Sequence, residues 1–357
     1  MNYLRLLLLP FSFLYGCATY VRNCLYDLNI FTVTGFPFPI IAVGNLTTGG
    51  TGKTPHVNYL VQLLSETKNV AVLSRGYRRR SKGFVLATAN SSSFEIGDEP
   101  KQYKTKFPNN TVAVCESRVE GVKAILKSHP ETEVLLLDDA FQHRAIKPGL
   151  SVLLIDYKDI LKRNFVVPAG SLREFPSASK RAEIVIISKT PSSFTVKQQE
   201  QTQNKFKPLP HQKMYFSFIR YGKPVPLNKT GVQALEMEVY ASQGFHFLVL
   251  TGIAAPEPFF DYLKTYSKKM HPAVFPDHHS FTNQEITAIK KRFDSIESPQ
   301  KIILTTEKDA MRLYASGGDL LRNTPVFYIP IEIAFHANGQ AYFNQQVLDY
   351  TNNQPHV

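Results

Sequence analysis

Ile40-Ile41-Ala42-Val43-Gly44-Asn45-Leu46-Thr47-Thr48-Gly49-Gly50-Thr51-Gly52-Lys53-Thr54-Pro55 is the stretch on which the fold class turns. A short apolar strand runs into a glycine-rich turn, then Lys-Thr. Beyond it apolar residues recur at Val57, Leu60, Val61 and Leu64, the one-face spacing of a helix. Strand, glycine loop, Lys-Thr and helix together make a cradle for nucleotide phosphates. Backbone N–H groups wrap the phosphates and the helix N-terminus turns its positive end toward them. Lys53 reaches the terminal oxygens, and the Thr54 hydroxyl is placed to ligate Mg²⁺. The expected nucleotide contacts are Thr47, Thr48, Gly49, Gly50, Thr51, Gly52, Lys53 and Thr54, with Thr47 standing where the general pattern opens on glycine.

Downstream, short apolar strands alternate with helices. Val70 to Leu73, Thr111 to Cys115, Val134 to Leu137, Val152 to Ile155 and Ile184 to Ile187 read as strands. Ser117 caps a helix, with Glu120 completing a capping box. This rhythm predicts an α/β fold with a parallel, doubly wound sheet whose ligands lie beyond the carboxyl ends of the strands. Residues 190–245 break the rhythm, and alternation from Met214 to Ile219 suggests a β-linker. A second α/β unit follows, with strands at Phe247 to Leu250, near Val274, at Ile302 to Thr305 and at Val326 to Ile329. The expected organisation is therefore an N-terminal helix in residues 1–30, a phosphate-loop α/β domain in 31–205, a β-linker in 206–245 and a smaller α/β domain in 246–350.

At 357 residues two domains are the natural division, and 43% hydrophobic with 20% charged residues describes a globular chain. A net charge of +12 favours an anionic partner such as nucleic acid, a phosphorylated substrate or an acidic membrane surface. Cys17, Cys24 and Cys115 lack metal-ligand spacing and fit a reducing compartment. Leu6 to Leu9, Phe11, Phe13, Leu14 and Tyr15 form a hydrophobic start that also resembles a signal peptide. Arg5, Ser12, Thr19, Asn23 and Asp27, however, fall on one narrow helical stripe with apolar residues around the rest. That pattern predicts an amphipathic helix lying in the membrane interface, bent at Pro10, rather than an export segment, with a helix packed on its own domain as the other reading.

Several stretches carry chemistry. The aliphatic strand ending in Asp138-Asp139 suits a carboxylate delivered to Mg²⁺. Gly97-Asp98-Glu99-Pro100 reads either as a solvated acidic turn or as a loop holding a general base for an acceptor hydroxyl. Phe275-Pro276-Asp277-His278-His279-Ser280-Phe281 clusters polar groups between aromatics, suited either to metal ligation, though without a spaced third ligand, or to a histidine that orients a carboxylate. Pro168 to Glu174 carries Arg173, suited to phosphate, and Thr305 to Asp309 ends a strand and opens a helix.

In their order, GGTGKTP, Ser74-Arg75-Gly76-Tyr77, GDEP at 97–100, Arg118, DDAFQH at 138–143, GSLRE at 170–174, GIAAPEPF at 252–259, DHH at 277–279 and TEKDA at 306–310 resemble the tetraacyldisaccharide 4′-kinase family, the lipid A 4′-kinases of Gram-negative bacteria. The resemblance implies ATP- and Mg²⁺-dependent phosphorylation of the 4′-hydroxyl of a tetraacylated glucosamine disaccharide 1-phosphate at the cytoplasmic face of the inner membrane. It implies Asp98 as catalytic base with His278 as its partner, and Lys53, Asp138 and Asp139 as further catalytic residues. Thr54, Asp138, Asp139 and Glu99 are the implied metal ligands, while Arg75, Arg118, Gln142 and Arg173 are assigned to substrate. It calls for a lipid substrate and a membrane surface, with no nucleic acid and no obligate protein partner.

Two other classes compete. Membrane-associated ATPase switches share a Gly-Gly-x-Gly-Lys-Thr loop, but carry a signature Lys where this chain has Thr48. Nucleic-acid binding requires a basic stripe interleaved with aromatics, and the only basic cluster of that kind lies at residues 75–82.

Overall fold

The computed structural model describes residues 7–162, 164–227, 234–277, 279–317, 321 and 323–353, and the side chains of all of these except 314–317. The chain groups into two units. The first comprises Met1–Ala89, Tyr103–Ile219 and Ile333–Val357, and the second comprises Asn90–Gln102 and Arg220–Glu332.

The strands of the first sheet are β1 (Ile40–Asn45), β2 (Val70–Ser74), β3 (Val85–Leu86), β4 (Thr111–Val114), β5 (Val134–Asp138), β6 (Leu150–Asp156), β7 (Ile184–Ser188), β8 (Lys213–Tyr221) and β14 (Ile331–Phe335). Those of the second are β9 (Val225–Pro226), β10 (His246–Thr251), β11 (Met270–Val274), β12 (Lys301–Thr306) and β13 (Val326–Ile329). The helices are α1 (Leu9–Asp27), α2 (Lys53–Leu64), α3 (Ser93–Ile96), α4 (Asp98–Lys106), α5 (Arg118–Ser128), α6 (Tyr157–Leu161), α7 (Val196–Phe206), α8 (Met237–Ser242), α9 (Glu257–Lys264), α10 (Asn283–Asp294), α11 (Glu307–Gly317) and α12 (Gly339–Asn352).

The first sheet runs β14-β8-β7-β6-β1-β5-β2-β4-β3. From β8 through β4 its neighbours pair in parallel, and β3 joins β4 antiparallel. Strands β1, β2, β5 and β7 are buried at every residue, which explains their unbroken aliphatic runs: helices cover both faces of such a sheet. Strand order reverses around β1, so the loop leaving its carboxyl end lies at the switch point where α/β sheets bind ligands. Register sets Val43 of β1 beside Asp138 of β5, aligning the glycine loop with the paired aspartates. The second sheet, β11-β10-β12-β13-β9, is parallel except for β9. Its core places Leu248 and Leu250 with Ile286, Ile289 and Phe293 of α10, whose start is fixed by a Thr282–Glu285 capping box.

The fold departs from the sequence reading at five places. GDEP is not in a loop: Gly97, at φ +95°, separates two short helices, and Asp98 opens the second. Ser92 caps the first by accepting from the Glu95 N–H, and Asp98 and Glu99 suit the positive end of the second. Residues 213–221, expected as linker, form β8, which pairs parallel to β7 because Phe216 packs into the same apolar cluster as Val185 and Ile187. Residues 333–350, expected in the second domain, group with the first unit, where Phe335 and Phe343 stack with ring centroids 4.9 Å apart. Pro10 falls in the first turn of α1 and starts the helix rather than bending it, since no N–H partner is lost there. At α5, the Ser117 hydroxyl accepts from the Glu120 N–H, while the Glu120 carboxylate turns to Lys123.

Helix α1 carries its polar stripe toward the first unit. Ser12 accepts from the Ala169 N–H at 2.8 Å, Asn23 donates to Glu174 at 2.8 Å, and Asp27 pairs with Arg144 at 2.7 Å. Gly16 lies so near the Phe175 ring that a Cβ would stand 2.3 Å from it. Phe11, Phe13, Leu14, Tyr20 and Val21 are left exposed.

Candidate active site

The glycine loop is held from behind. Asn45 Nδ2 donates to the Gly49 carbonyl at 3.2 Å, Lys189 Nζ donates to that of Gly50, and Ser188 Oγ donates to that of Thr51 at 2.8 Å. His56 Nδ1 lies 2.7 Å from the Gly52 carbonyl. Consecutive carbonyls from Gly49 to Gly52 are thereby engaged by the protein, which fixes the peptide dipoles of a loop built to meet phosphate with its amides. Lys189 is itself paired with Asp156 at 2.9 Å. Gly52, at φ +86°, caps α2 in a left-handed conformation that glycine adopts without strain. Across the loop, Thr47 bridges Leu172, and the Thr48 N–H donates to the Ser171 carbonyl at 2.6 Å, so GSLRE forms one wall.

His56 is buried, and its tautomer follows from its partners. The Gly52 carbonyl only accepts, so Nδ1 carries the proton and Nε2 faces Ser217 Oγ at 3.0 Å. Burial outweighs that hydrogen bond and lowers its pKa to about 4. The unfolded chain therefore takes up a proton that the folded chain refuses as pH falls below the ordinary histidine value, and stability drops from there down to the folded pKa of about 4. From pH 7 to pH 5 this amounts to about 2 kcal/mol. Urea unfolding at the two pH values should show that loss, and His56→Gln should remove it from the pH dependence; equal pH dependence in both proteins would rule it out.

Lys53 lies at the centre of a charged web. Its Nζ donates to Asn45 Oδ1 at 3.2 Å and stands 3.5 Å from Asp139. Arg173 donates to both Asp139 oxygens, at 3.0 and 3.1 Å, and to Gln142 Oε1 at 3.3 Å, while Gln142 donates to the Asn45 carbonyl at 2.8 Å. Burial pushes the Asp139 carboxyl up, but Lys53 and then Arg173 outweigh it, so the group is held below the usual carboxylate range. Asp138 is buried and accepts from Ser74 Oγ at 3.0 Å. Arg118 is buried too; its Nη1 donates to the Cys115 carbonyl at 2.7 Å and its Nη2 to that of Asp138 at 3.0 Å. Its contacts thus bear on the position of Asp138, whereas Arg75 at the end of β2 is exposed. Lys53, Asp138, Asp139, Gln142 and Arg173, with Thr54 in the first turn of α2, all belong to the first unit.

Asp98 and Glu99 belong to the second unit. Asp98 Oδ2 accepts from Arg312 Nη2 at 2.8 Å and Nε at 3.1 Å, and Glu99 stands 3.5 Å from Lys308 Nζ. His278 lies outside the described residues. Its neighbour His279 pairs with Glu285 at 3.0 Å and stacks on Phe275. Among the described residues no three His, Cys, Asp or Glu side chains gather as a metal cluster within reach of one another.

Sequence reading missed Asn45 as the Lys53 partner, the Ser188-Lys189 pair, Asp156, His56 and Arg312. Ser188-Lys189 carries one local signal: like the glycine loop, it leaves the carboxyl end of a buried parallel strand.

The family model for LpxK, tetraacyldisaccharide-1-P 4′-kinase, matches residues 4–351. The tetraacyldisaccharide 4′-kinase of Phocaeicola vulgatus is 42% identical over 346 residues, covering 96% of this chain and 94% of the relative. That of Flavobacterium psychrophilum is 40% identical over 356 residues, covering 98% of each. The crystal structure of LpxK from Aquifex aeolicus in complex with ATP superposes with a TM-score of 0.75 at 27% identity, covering 98% of this chain and 99% of that one.

Proposed function

The chain belongs to the tetraacyldisaccharide 4′-kinase family and is a kinase of lipid A biosynthesis, and within that activity we propose that its glycine loop binds ATP and that Asp98 takes the proton from the 4′-hydroxyl of the disaccharide 1-phosphate. The observation that carries the nucleotide half is the pinned loop, with Lys53 between Asn45 and Asp139. The relative crystallised with ATP supports that ligand.

The reaction moves the γ-phosphoryl group to the sugar oxygen, leaving ADP, while the hydroxyl proton passes to the Asp98 carboxylate. Little covalent work falls to the protein, so charge and position decide the rate. Lys53 and the loop amides offset charge on the transferred group. Lys53 and Arg173 keep Asp139 ionised, and Arg118 holds the Asp138 backbone through its carbonyl. The Thr54 hydroxyl and the carboxylates of Asp138 and Asp139 would supply hard oxygen donors suited to Mg²⁺. Ser74 fixing Asp138 and the ionised state of Asp139 both favour that assignment. When bound, Mg²⁺ neutralises phosphate charge. Incubation with γ-labelled ATP and tetraacyldisaccharide 1-phosphate should place label on the lipid, and EDTA should stop it. Label transfer undiminished by chelation would remove the metal.

The substrate brings acyl chains as well as phosphate. No described helix is long and apolar enough to cross a membrane. Helix α1, with its polar stripe turned inward and Phe11, Phe13 and Leu14 exposed, suits a helix lying in the interface at the cytoplasmic face. Exposed Arg75 offers charge to anionic headgroups. Burying each large apolar side chain stabilises by about 1.5–3 kcal/mol. Replacing Phe11, Phe13 and Leu14 together by Ser should therefore lower co-flotation with anionic vesicles at least about tenfold. Unchanged flotation would exclude α1 as the anchor.

A further inference from the structure

TEKDA at 306–310 and the glycine that opens GIAAPEPF meet in the second unit around one arginine, and no step above uses them. Arg312 Nη1 donates to Asp309 Oδ1 at 3.1 Å and to the Gly252 carbonyl at 3.0 Å. Asp309 is fully buried, and its other oxygen accepts from the Gly252 N–H at 2.8 Å and from Thr306 Oγ1 at 2.7 Å. A Cβ on Gly252 would stand 3.0 Å from Asp309 Oδ1, tighter than side chains ordinarily pack, so Asp309 would have to give way. The remaining edge of the guanidinium, Nε and Nη2, meets Asp98 Oδ2.

We infer that Arg312, anchored by Asp309 and Gly252, is a positioning residue that sets the orientation of the Asp98 carboxylate for proton abstraction. The inference rests on the reading of Asp98 as the base. Both donors converge on a single oxygen, so turning the carboxylate breaks two charge-assisted bonds at once, and the direction of Oδ1 is set with it. Asp309 in turn holds the planar fork, because its own oxygens are fixed by backbone and hydroxyl donors. A lysine offers one point charge and no second anchor in that plane. An arginine placed here only for stability would act equally well whatever occupied position 98.

That difference is the test. Single-turnover phosphoryl transfer is measured for Arg312→Met, Arg312→Lys, Asp98→Asn and the double variant Asp98→Asn/Arg312→Met, beside ATP affinity and unfolding midpoint. Arg312→Met should lower the rate about ten- to a hundred-fold with ATP affinity unchanged, and Arg312→Lys should recover part of it. With Asp98 already replaced, Arg312→Met should cost nothing further. An unchanged rate in Arg312→Met, or the same fold-loss with and without Asp98, overturns the inference. Near-normal transfer by Asp98→Asn alone overturns instead the reading beneath it. If Arg312→Met loses its fold, Arg312→Lys decides: a rate equal to the parent's overturns the inference, and a loss that vanishes beside Asp98→Asn upholds it.

Discussion

Lys53→Met should lower kcat by about two to three powers of ten and raise the KM for ATP, with the unfolding midpoint little changed. The ammonium is largely shielded, between Asn45 at 3.2 Å and Asp139 at 3.5 Å, so it waits at the loop without needing to be ordered during the reaction. A preorganised charge in such a setting stabilises developing negative charge far more than it would in water. Methionine keeps the length of the stem and removes only the charge. Asp139 would then keep Arg173 as partner, and its carboxyl would rise toward the ordinary range. Steady-state kinetics separate the effects. A loss confined to KM would mean that Lys53 binds ground-state phosphate and gives nothing more to the transition state.

How much of this was legible depended on distance along the chain. The glycine loop was readable because Asn45 through Thr54 carry strand end, turn, charge and helix start within one short run. The paired aspartates were readable for the same reason, as an aliphatic strand ending in carboxylates. The pins behind the loop were not, because Ser188 and Lys189 reach Thr51 and Gly50 from 137 and 139 residues away. Nor was the Asp98–Arg312 contact, 214 residues apart, or the grouping of Asn90–Gln102 with the second unit. Propensity describes a neighbourhood in sequence, and these contacts are set by the order of strands. Helix α1 was legible as a polar stripe in an apolar helix, yet periodicity alone does not say which face meets protein. Contacts of Ser12, Asn23 and Asp27 answer that.

Asp98→Asn should lower kcat by about two to four powers of ten. Asparagine matches aspartate in shape, so Arg312, which donates to Oδ2 of Asp98, has a neutral amide oxygen to meet, and the helix start at residue 98 is retained. What disappears is the ability to take a proton as the sugar oxygen becomes bonded to phosphorus. Phosphoryl transfer is loose, so that proton leaves late, which keeps the effect below that of losing a charge clamp and base together. Nucleotide affinity should hardly change, because the substitution leaves the glycine loop proposed to bind ATP as it is.

The most direct measurement is a single-turnover reaction. Enzyme loaded with γ-labelled ATP is mixed with tetraacyldisaccharide 1-phosphate, and label on the 4′ position is followed in time for the parent chain and for Asp98→Asn at equal ATP occupancy. The expected result is transfer to the 4′-oxygen by the parent and a rate at least about a hundredfold lower in the variant. Equal rates, or label released only as inorganic phosphate by the parent, would contradict the assignment of Asp98 and of this loop to phosphorylation of a lipid.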